Sequence, residues 1–467
     1  MSISMRPYQE AAIQDVRASI SRQIKAGKTP SLILTAPTGS GKTAMASFMT
    51  QSHVAKGGTV YFVCHRKELI DQTSSTFERV GIEHGLIASG YAANRRRPVQ
   101  ICSVGTLVNR LDDVAVPSLV IWDECHHVGA KTWATIRERW SKSVHVGLTA
   151  TPQRLDGKGL GSWFNELVLG PTVSDLIENG FLSSYEIYAP VTPVAFHKRA
   201  GDFVKSEMEA ALGKGEIMGG IVEQWTKRAK GLKTIGFAVS VKHSLSIVEA
   251  FKEAGIRAAH LDAQSAPWAR RATLQSFARG DVEVLFNVDL FGEGFDLAAN
   301  SGMDVTVESV ILARPTASLG LHLQQVGRAL RPKAQPAIIL DHAGNTVRHG
   351  FPDDIRLWSL EDYDVDEKAP PTKVCPACFA VVRPHIMVCP HCGHVWKPSE
   401  GRKLVEVDGD LVKLDRSGKR DTEAESRTHL AHLKRIEIQR GLPSGWADRT
   451  LSEWIARSAV RSSRQTG

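Results

Sequence analysis

Residues 121–127 read IWDECHH: an acid pair, a cysteine and two histidines directly after an apolar run. Such residues hold zinc, and they also hold magnesium beside a nucleotide. The choice between these chemistries depends on a second stretch upstream, Ala36-Pro37-Thr38-Gly39-Ser40-Gly41-Lys42-Thr43. Its glycines let backbone N–H groups turn toward phosphates. Lys42 can reach the β- and γ-phosphates, and Thr43 can offer its hydroxyl to Mg²⁺. The first position is Ala where the general pattern has Gly. A phosphate loop of this kind needs an acid at the end of a neighbouring strand, and SLVIWDE supplies Asp123 and Glu124. Asp123 is expected to hold Mg²⁺ through water, and Glu124 to orient and deprotonate the attacking water. Magnesium is a hard ion that prefers oxygen, so Cys125 reads as a packing residue and His126 and His127 as hydrogen-bonding groups.

A different cluster has the spacing of a metal site. Cys375-Pro376-Ala377-Cys378 and Cys389-Pro390-His391-Cys392 form two C-P-x-C knuckles, each presenting two thiolates from one turn. Together they predict a closed, structural Cys₄ site for Zn²⁺. His385, His391 and His394 stand nearby as alternative ligands. The other cysteines, Cys64, Cys102 and Cys125, are scattered, which does not suit a secreted disulfide scaffold.

The elements that must position these groups follow from the apolar pattern. SLILTA (31–36), TVYFVC (59–64), VQICSV (99–104), SLVIWD (118–123) and VHVGLTA (144–150) predict buried strands separated by helical stretches. A second series, KTIGFAVS (233–240), IRAAHLDA (256–263), VEVLFNVD (282–289), ESVILARP (308–315) and QPAIILDH (335–342), repeats the plan. Strands alternating with helices imply parallel sheets covered on both faces. The expectation is therefore an α/β chain with two tandem P-loop-type domains of similar build. Residues 181–230 are less regular and are read as a connection with an appended helix. An acidic stretch follows at 353–368, and a net basic tail runs from 397.

The 467 residues carry 42% hydrophobic and 23% charged residues, as an ordinary globular protein does. A formal net charge of +8 suits a polyanionic partner. No apolar run is long enough to span a membrane, and the N-terminus lacks the apolar core of a signal peptide. A cytoplasmic protein with no membrane partner is expected.

Taken in order, these motifs resemble those of the superfamily 2 helicases over roughly residues 5–345. Arg6, Tyr8 and Gln9 fall where that family reads adenine, and 36–43 is motif I. His65-Arg66-Lys67-Glu68-Leu69 falls at motif Ia, and Ser103-Val104-Gly105-Thr106 at motif Ib. Asp123-Glu124-Cys125-His126 is motif II in a DExH spelling, and Thr149-Ala150-Thr151 is motif III. Gly236-Phe237-Ala238 sits at motif IV, Gly292-Glu293-Gly294-Phe295-Asp296 resembles motif V, and Gln324 to Arg331 fits Q-x-x-G-R-x-x-R of motif VI. The resemblance implies two RecA-like domains, 1–182 and 183–350, with ATP between them. It places Arg328 and Arg331 against the phosphates, and Gly294 and Asp296 at the nucleotide. His126, Thr149, Thr151 and Gln324 become the groups that link hydrolysis to the polymer track. Arg66, Thr106, Ser240 and Lys242 become phosphate contacts on nucleic acid, with the Arg95-Arg96-Arg97 cluster as a further basic patch.

The DECH and TAT spellings look more like DNA-directed members: type I restriction motors, phage recombination helicases and, nearest, the bacterial RadD type. That type also carries a zinc element after its second motor domain, and GLPSGWADRTLSEW (441–454) loosely resembles its C-terminal segment. The implied function is an ATP-dependent DNA helicase or translocase in repair or recombination, acting on single-stranded or branched DNA. Single-strand-binding or recombination proteins are its implied partners. The layout would be completed by an acidic linker (351–372), a Cys₄ zinc ribbon (373–397) and a small C-terminal region (398–467). The alternatives are an RNA helicase, a zinc-containing nucleic-acid-binding scaffold with an inactive motor, and the motor of a restriction system whose nuclease lies on another chain.

Overall fold

The computed structural model describes residues 4–65, 67–154, 157–190, 196–199, 202–213, 220–291, 297–362 and 372–396, and in the tail 430, 433–434, 437 and 444–452. The chain divides into two compact units, residues 1–355 with 360–385, and residues 356–359 with 386–467.

The first unit contains two parallel sheets. One is built from β1 (Ser31–Thr35), β2 (Val60–Cys64), β3 (Gly85–Ile87), β4 (Val99–Ser103), β5 (Leu119–Asp123), β6 (Val144–Thr149) and β7 (Glu166–Leu169), in the order β3-β4-β2-β5-β6-β1-β7. The other contains β8 (Tyr185–Tyr188), β11 (Thr234–Phe237), β12 (Ala258–Asp262), β13 (Val284–Val288), β14 (Ser309–Leu312) and β15 (Ala337–Leu340), in the order β12-β13-β11-β14-β15-β8. Between β8 and β11 lies a small hairpin, β9 (Lys198–Arg199) and β10 (Asp202–Phe203).

All ten predicted strands form. Their apolar runs are buried on both faces, as in parallel sheets sandwiched by helices. Within the two parallel sheets the sequence pattern missed three short or amphipathic strands: β3 with three residues, β7 at the edge, and β8 inside the stretch read as irregular; the two-residue strands of the small hairpins were not read either. β8 pairs with β15 through Tyr185–Ala337 and Tyr188–Leu340, so the second sheet begins as soon as the connection ends.

The acid-bearing strand β5 is fixed by an aromatic and imidazole lock. Trp122 is fully buried, and its indole N–H donates to His145 Nδ1 on adjacent β6 at 3.0 Å. His145 Nε2 in turn donates to the Trp140 carbonyl at 2.9 Å, which fixes the tautomer. Trp133 stacks on Trp122 with ring centroids 5.4 Å apart. The residue after this anchored indole is Asp123, so its height at the strand end follows from the packing beneath it.

Two short strands, β16 (Lys373–Val374) and β17 (Val381–Val382), pair antiparallel around the first cysteine knuckle. This knuckle joins the second sheet: Ala189 N–H donates to the Phe379 carbonyl (3.1 Å), Tyr188 bridges Ala380, and Arg228 Nη2 donates to the Cys378 carbonyl (2.7 Å). In the second unit, the other knuckle closes with Cys389 N–H donating to the His394 carbonyl (2.8 Å). The helix from 446 to 452 begins where the Glu437 carboxylate accepts from Gly445 and Ala447 N–H (3.1 and 2.7 Å). In the tail, RTHLAHLKRIEIQRG (427–441) and RTLSEWIARSAV (449–460) read as short helices from sequence; most of both, residues 363–371 of the acidic stretch, and residues 397–429 lie outside the described residues.

Burial first, and then the Arg137 charge, push His145 down to about 3. The folded chain therefore keeps this imidazole neutral at pH values where the unfolded chain, near 6.5, binds a proton. The stability held by this group is complete above pH 6.5 and is lost as pH falls toward 3. Between pH 7 and 5 the loss through His145 should be about 2 kcal/mol. Urea unfolding at the two pH values should give a loss smaller by that amount in His145→Gln. Equal losses in the two proteins would remove His145 as the cause.

Candidate nucleotide site between two domains

The phosphate loop is built as its sequence requires. β1 ends at Thr35, and the helix Lys42–Val54 begins just after Gly41, which has φ 82°. Gly39 is also left-handed, with φ 86°. A Cβ on Gly41 would lie 2.5 Å from Gln9 Nε2, so both conformation and space exclude a side chain there. The Lys42 ammonium donates to the Ala36 carbonyl at 3.1 Å, across the mouth of the loop. Ser40 Oγ donates to the Pro37 carbonyl at 2.7 Å.

The N-terminal segment grips this loop from outside. Tyr8 Oη and Gln9 Nε2 both donate to the Ser40 carbonyl at 2.9 Å. Arg6 N–H donates to Gln9 Oε1 (3.0 Å), and Arg6 Nη1 lies 3.3 Å from Tyr8 Oη. Phe181 packs edge-on to Tyr8 at 4.9 Å and lies beneath the Arg6 guanidinium at 5.1 Å. Leu182 Cδ2 sits 3.1 Å from where a Gly39 Cβ would be. Phe181 and Leu182 were not singled out in the sequence. They lie in the connection, where no periodicity or motif marks them, and only the fold carries them to the loop.

Asp123 ends β5 next to β6, whose neighbour on the other side is β1, so the acids and the phosphate loop rise from one edge of the sheet. Glu124 takes φ 48° and ψ 54°, a left-handed conformation for a residue with a side chain, while 3% exposed. Such geometry costs roughly 1–2 kcal/mol and is held where surrounding packing dictates it. Burial and the Glu124 charge raise the Asp123 carboxyl, with Lys42 and His65 acting against them. Two adjacent carboxylates, one half-buried and one buried, would accept a cation. A hydroxyl at Thr43 and carboxylates at Asp123 and Glu124 form the hard oxygen set that Mg²⁺ prefers. Cys125 is fully buried against Gly147, and burial holds its thiol well above the usual range, so it packs rather than ligates.

Behind the acids, Thr149 Oγ1 is a junction. It lies 3.4 Å from Glu124 Oε2, 3.1 Å from His126 Nδ1 and 3.0 Å from the Thr151 carbonyl, and it accepts from Thr151 N–H at 3.1 Å. Of the expected linking residues, Thr149 and His126 thus approach the expected catalytic acid, Thr151 is bonded to Thr149, and Gln324 is not part of this set.

The second domain reaches this site through the helix Leu319–Gly327. At its N-terminal end, a Cβ on Gly320 would lie 2.9 Å from Thr151 Oγ1. At its C-terminal end, a Cβ on Gly327 would lie 2.7 Å from Thr38 Cβ. The helix therefore spans from the Thr149–Thr151 junction to the phosphate loop, and Arg328 follows directly. Arg328 is 9% exposed and Gln324 2%. Among the described residues Gln324 Oε1 is buried with no hydrogen-bond partner.

Of the residues expected on the nucleic-acid track, Ser240 caps the helix Val241–Glu253, accepting from His243 N–H at 3.3 Å. Lys242 is exposed, and Thr106 is half-buried at the start of a short helix. Arg66, Gly294 and Asp296 lie outside the described residues. The four cysteines come together: the Sγ atoms of Cys375, Cys378, Cys389 and Cys392 all lie within 4.8 Å of one another. Tetrahedral thiolates at 2.3 Å from a metal would be about 3.8 Å apart, so this cluster could hold a metal ion.

Comparison with known proteins matches both halves of the site. Residues 2–154 match the family described as "Type III restriction enzyme, res subunit", and residues 214–333 match "Helicase conserved C-terminal domain". The chain belongs to the superfamily 2 helicases. It is 35% identical over 394 residues to the "51.5 kDa protein" of Lactococcus phage (isolate 7-9), covering 82% of each. It is 27% identical over 356 residues to "Putative ATP-dependent helicase IRC3" of Saccharomyces cerevisiae, covering 70% of this chain and 49% of that protein, about half its length. Among solved structures it resembles "ATP-dependent Type ISP restriction-modification enzyme LlaBIII bound to DNA", with TM-score 0.53 and 16% identity over 73% of this chain and 28% of that one. This likeness is one of fold. As a superfamily 2 helicase, the chain is an ATP-hydrolysing enzyme that uses ATP with Mg²⁺.

The Gly327–Thr38 approach leaves no room for a side chain. Gly327→Val should hold the domains apart and lower ATP turnover by roughly a hundredfold, the scale of an ångström-sized misplacement, while the thermal unfolding midpoint stays near wild type. Turnover unchanged in steady-state assays would contradict this reading of the contact.

Proposed function

We propose that this helicase is a DNA motor: an ATP-dependent translocase or helicase that tracks or remodels single-stranded or branched DNA, in repair or recombination as the RadD type does. The observation that carries the reading is the helix Leu319–Gly327, which lies against the phosphate loop at one end and Thr151 at the other.

Lys42 and the loop Pro37–Thr43 bind the triphosphate, and Arg6, Tyr8 and Gln9 take the adenine side. Thr43 and Asp123 hold the magnesium that ATP brings. Glu124 accepts a proton from the attacking water, while Arg328 and Arg331 meet charge that develops on the transferred phosphoryl. Gly294 and Asp296 complete the nucleotide contacts. Thr149 touches Glu124, His126 and Thr151, and with Gln324 it passes the state of the acid to the domain that moves. Arg66, Thr106, Ser240 and Lys242 contact the polymer backbone; since Ser240 is already a helix cap, it would do so while holding Lys242 in place.

Motifs on residues 1–182 and 183–350 support two RecA-like domains, with an acidic linker, a Cys₄ element at 373–397 and a small region at 398–467. Zinc suits the cysteine set, because four thiolates and no open position define a structural site. No helix among the described residues is long and apolar enough to cross a membrane, which accords with cytoplasmic work on nucleic acid. Single-strand-binding or recombination proteins are the partners this reading implies.

ATP hydrolysis should be measured without polymer and with single-stranded DNA, forked DNA and RNA, with Lys42→Ala as the inactive control. Stimulation several-fold by DNA and little by RNA is expected. RNA-only stimulation would make the protein an RNA helicase, and absence of hydrolysis under all conditions would leave a binding scaffold. Metal analysis of the same preparation should find about one zinc per chain; a metal-free, fully active protein would refute the zinc assignment.

A further inference from the structure

The two parallel sheets are joined by the chain between β7 and β8, and the end of this connection is wedged into the cleft. Leu182 Cδ2 lies 3.1 Å from where a Gly39 Cβ would be, so the connection rests on the phosphate loop. At the next residue, Ser183 N–H donates to the Leu330 carbonyl at 2.9 Å, and Ser183 Oγ donates to the Ala329 carbonyl at 3.5 Å. Ser183 is buried. Two consecutive residues therefore touch the phosphate loop on one side and the segment that follows Arg328 on the other.

That segment needs outside support. The helix Leu319–Gly327 ends just before Arg328, and the chain beyond it keeps turning through short bonds. Arg328, Ala329 and Leu330 N–H donate to the carbonyls of Gln325, Val326 and Gly327 at 3.3, 3.0 and 3.3 Å. Bonds of this span have poorer geometry than those of an α-helix, and the last carbonyls of a helix find no donor within it. Ala329 and Leu330 are buried, so their carbonyls depend on donors from the protein.

Lys333 completes the set. Its ammonium donates to the Ala329 carbonyl and, at 3.1 Å, to Ser183 Oγ. A cation placed at the C-terminal end of a helix also meets the favourable end of the helix dipole. Burial pushes the Lys333 ammonium down to about 8, with the Glu308 carboxylate acting against the shift, so it carries its charge at pH 7. Lys333, Ser183 and the carbonyls of Ala329 and Leu330 thus form one bonded knot directly behind Arg328, seated on the phosphate loop through Leu182.

We propose that Lys333 is a positioning residue for ATP hydrolysis: through Ser183 and the Ala329 carbonyl it fixes the backbone from which Arg328 meets the phosphates. The inference rests on the reading of Arg328 as the phosphate-facing arginine, and it adds the group that aims it. Lys333 acts through the backbone and not on the nucleotide, so its loss should slow the chemical step and spare binding.

The test is single-turnover ATP hydrolysis by the full-length protein at pH 7, beside its affinity for adenylyl imidodiphosphate with Mg²⁺. Lys333→Met, which keeps the stem and removes the donors, should lower turnover by about ten- to a hundredfold, the scale of an ångström-sized misplacement. Analogue affinity should stay near wild type, and Lys333→Arg should recover most of the loss. In an Arg328→Ala background Lys333→Met should cost nothing further, because the group it aims is gone. Where Lys333→Met unfolds at a clearly lower temperature, Ser183→Ala, which removes only a hydroxyl, should show the same non-additivity with Arg328→Ala. Wild-type turnover in Lys333→Met, analogue affinity lost in proportion to turnover, no recovery by Lys333→Arg, or losses that multiply in the double variant would each overturn the proposal. A slow Arg328→Ala would then still uphold the arginine reading. If Arg328→Ala turns over as wild type does, that reading fails and the proposal falls with it.

Discussion

Two backbone positions on one helix, Gly320 and Gly327, bring the second domain against the first at two threonines. Each lies where a side chain would collide with a threonine of the first domain, Thr151 at one end and Thr38 at the other. Thr38 belongs to the phosphate loop, and Thr151 is bonded to Thr149, which touches the acid Glu124. A rigid element of the second domain thus contacts both the loop proposed to bind phosphate and the group that lies behind the acid. Removing the side chains allows approach at backbone distance, and helical stiffness makes both ends move as one.

The first domain prepares its half by burial and strain. Asp123, half-buried, and Glu124, fully buried, are adjacent carboxylates, and Glu124 adopts a backbone conformation that a side chain disfavours. Neither would be stable on an isolated strand. Trp122 and His145 beneath them supply the packing that holds the strand end in place. On the phosphate side, the Ser40 carbonyl is bonded by Tyr8 and Gln9, so the loop is braced from the segment expected to read the base. Catalysis in this class depends mostly on positioning and on charge placed in advance, and under the proposed assignment these contacts would supply both.

Much of this was legible in the sequence because motor motifs are local. A phosphate loop needs its glycines, Lys42 and Thr43 within a few residues, and a parallel strand buried on both faces reads as an unbroken apolar run such as SLVIW. The same locality explains β8: its residues, YEIY, alternate at a sheet edge and resemble a loop's composition. Phe181 and Leu182 escaped notice because their role comes from the connection passing the phosphate loop, a tertiary fact with no periodic signal. Gly327 was visible only as a letter of motif VI and Gly320 lay outside any motif, and the reason for glycine at each required knowing which threonines face them.

The central claim is that hydrolysis is shared between domains, with the acid on one and the phosphate-facing arginine on the other. Single-turnover hydrolysis by Arg328→Ala, measured beside the affinity for a non-hydrolysable ATP analogue, tests it most directly. The account predicts turnover lower by about 10³-fold with analogue affinity changed only a few-fold, and no rescue by Arg328→Lys, whose point charge lacks the planar fork. Turnover in Arg328→Ala close to wild type would contradict it, because the second domain would then contribute no charge to the reaction.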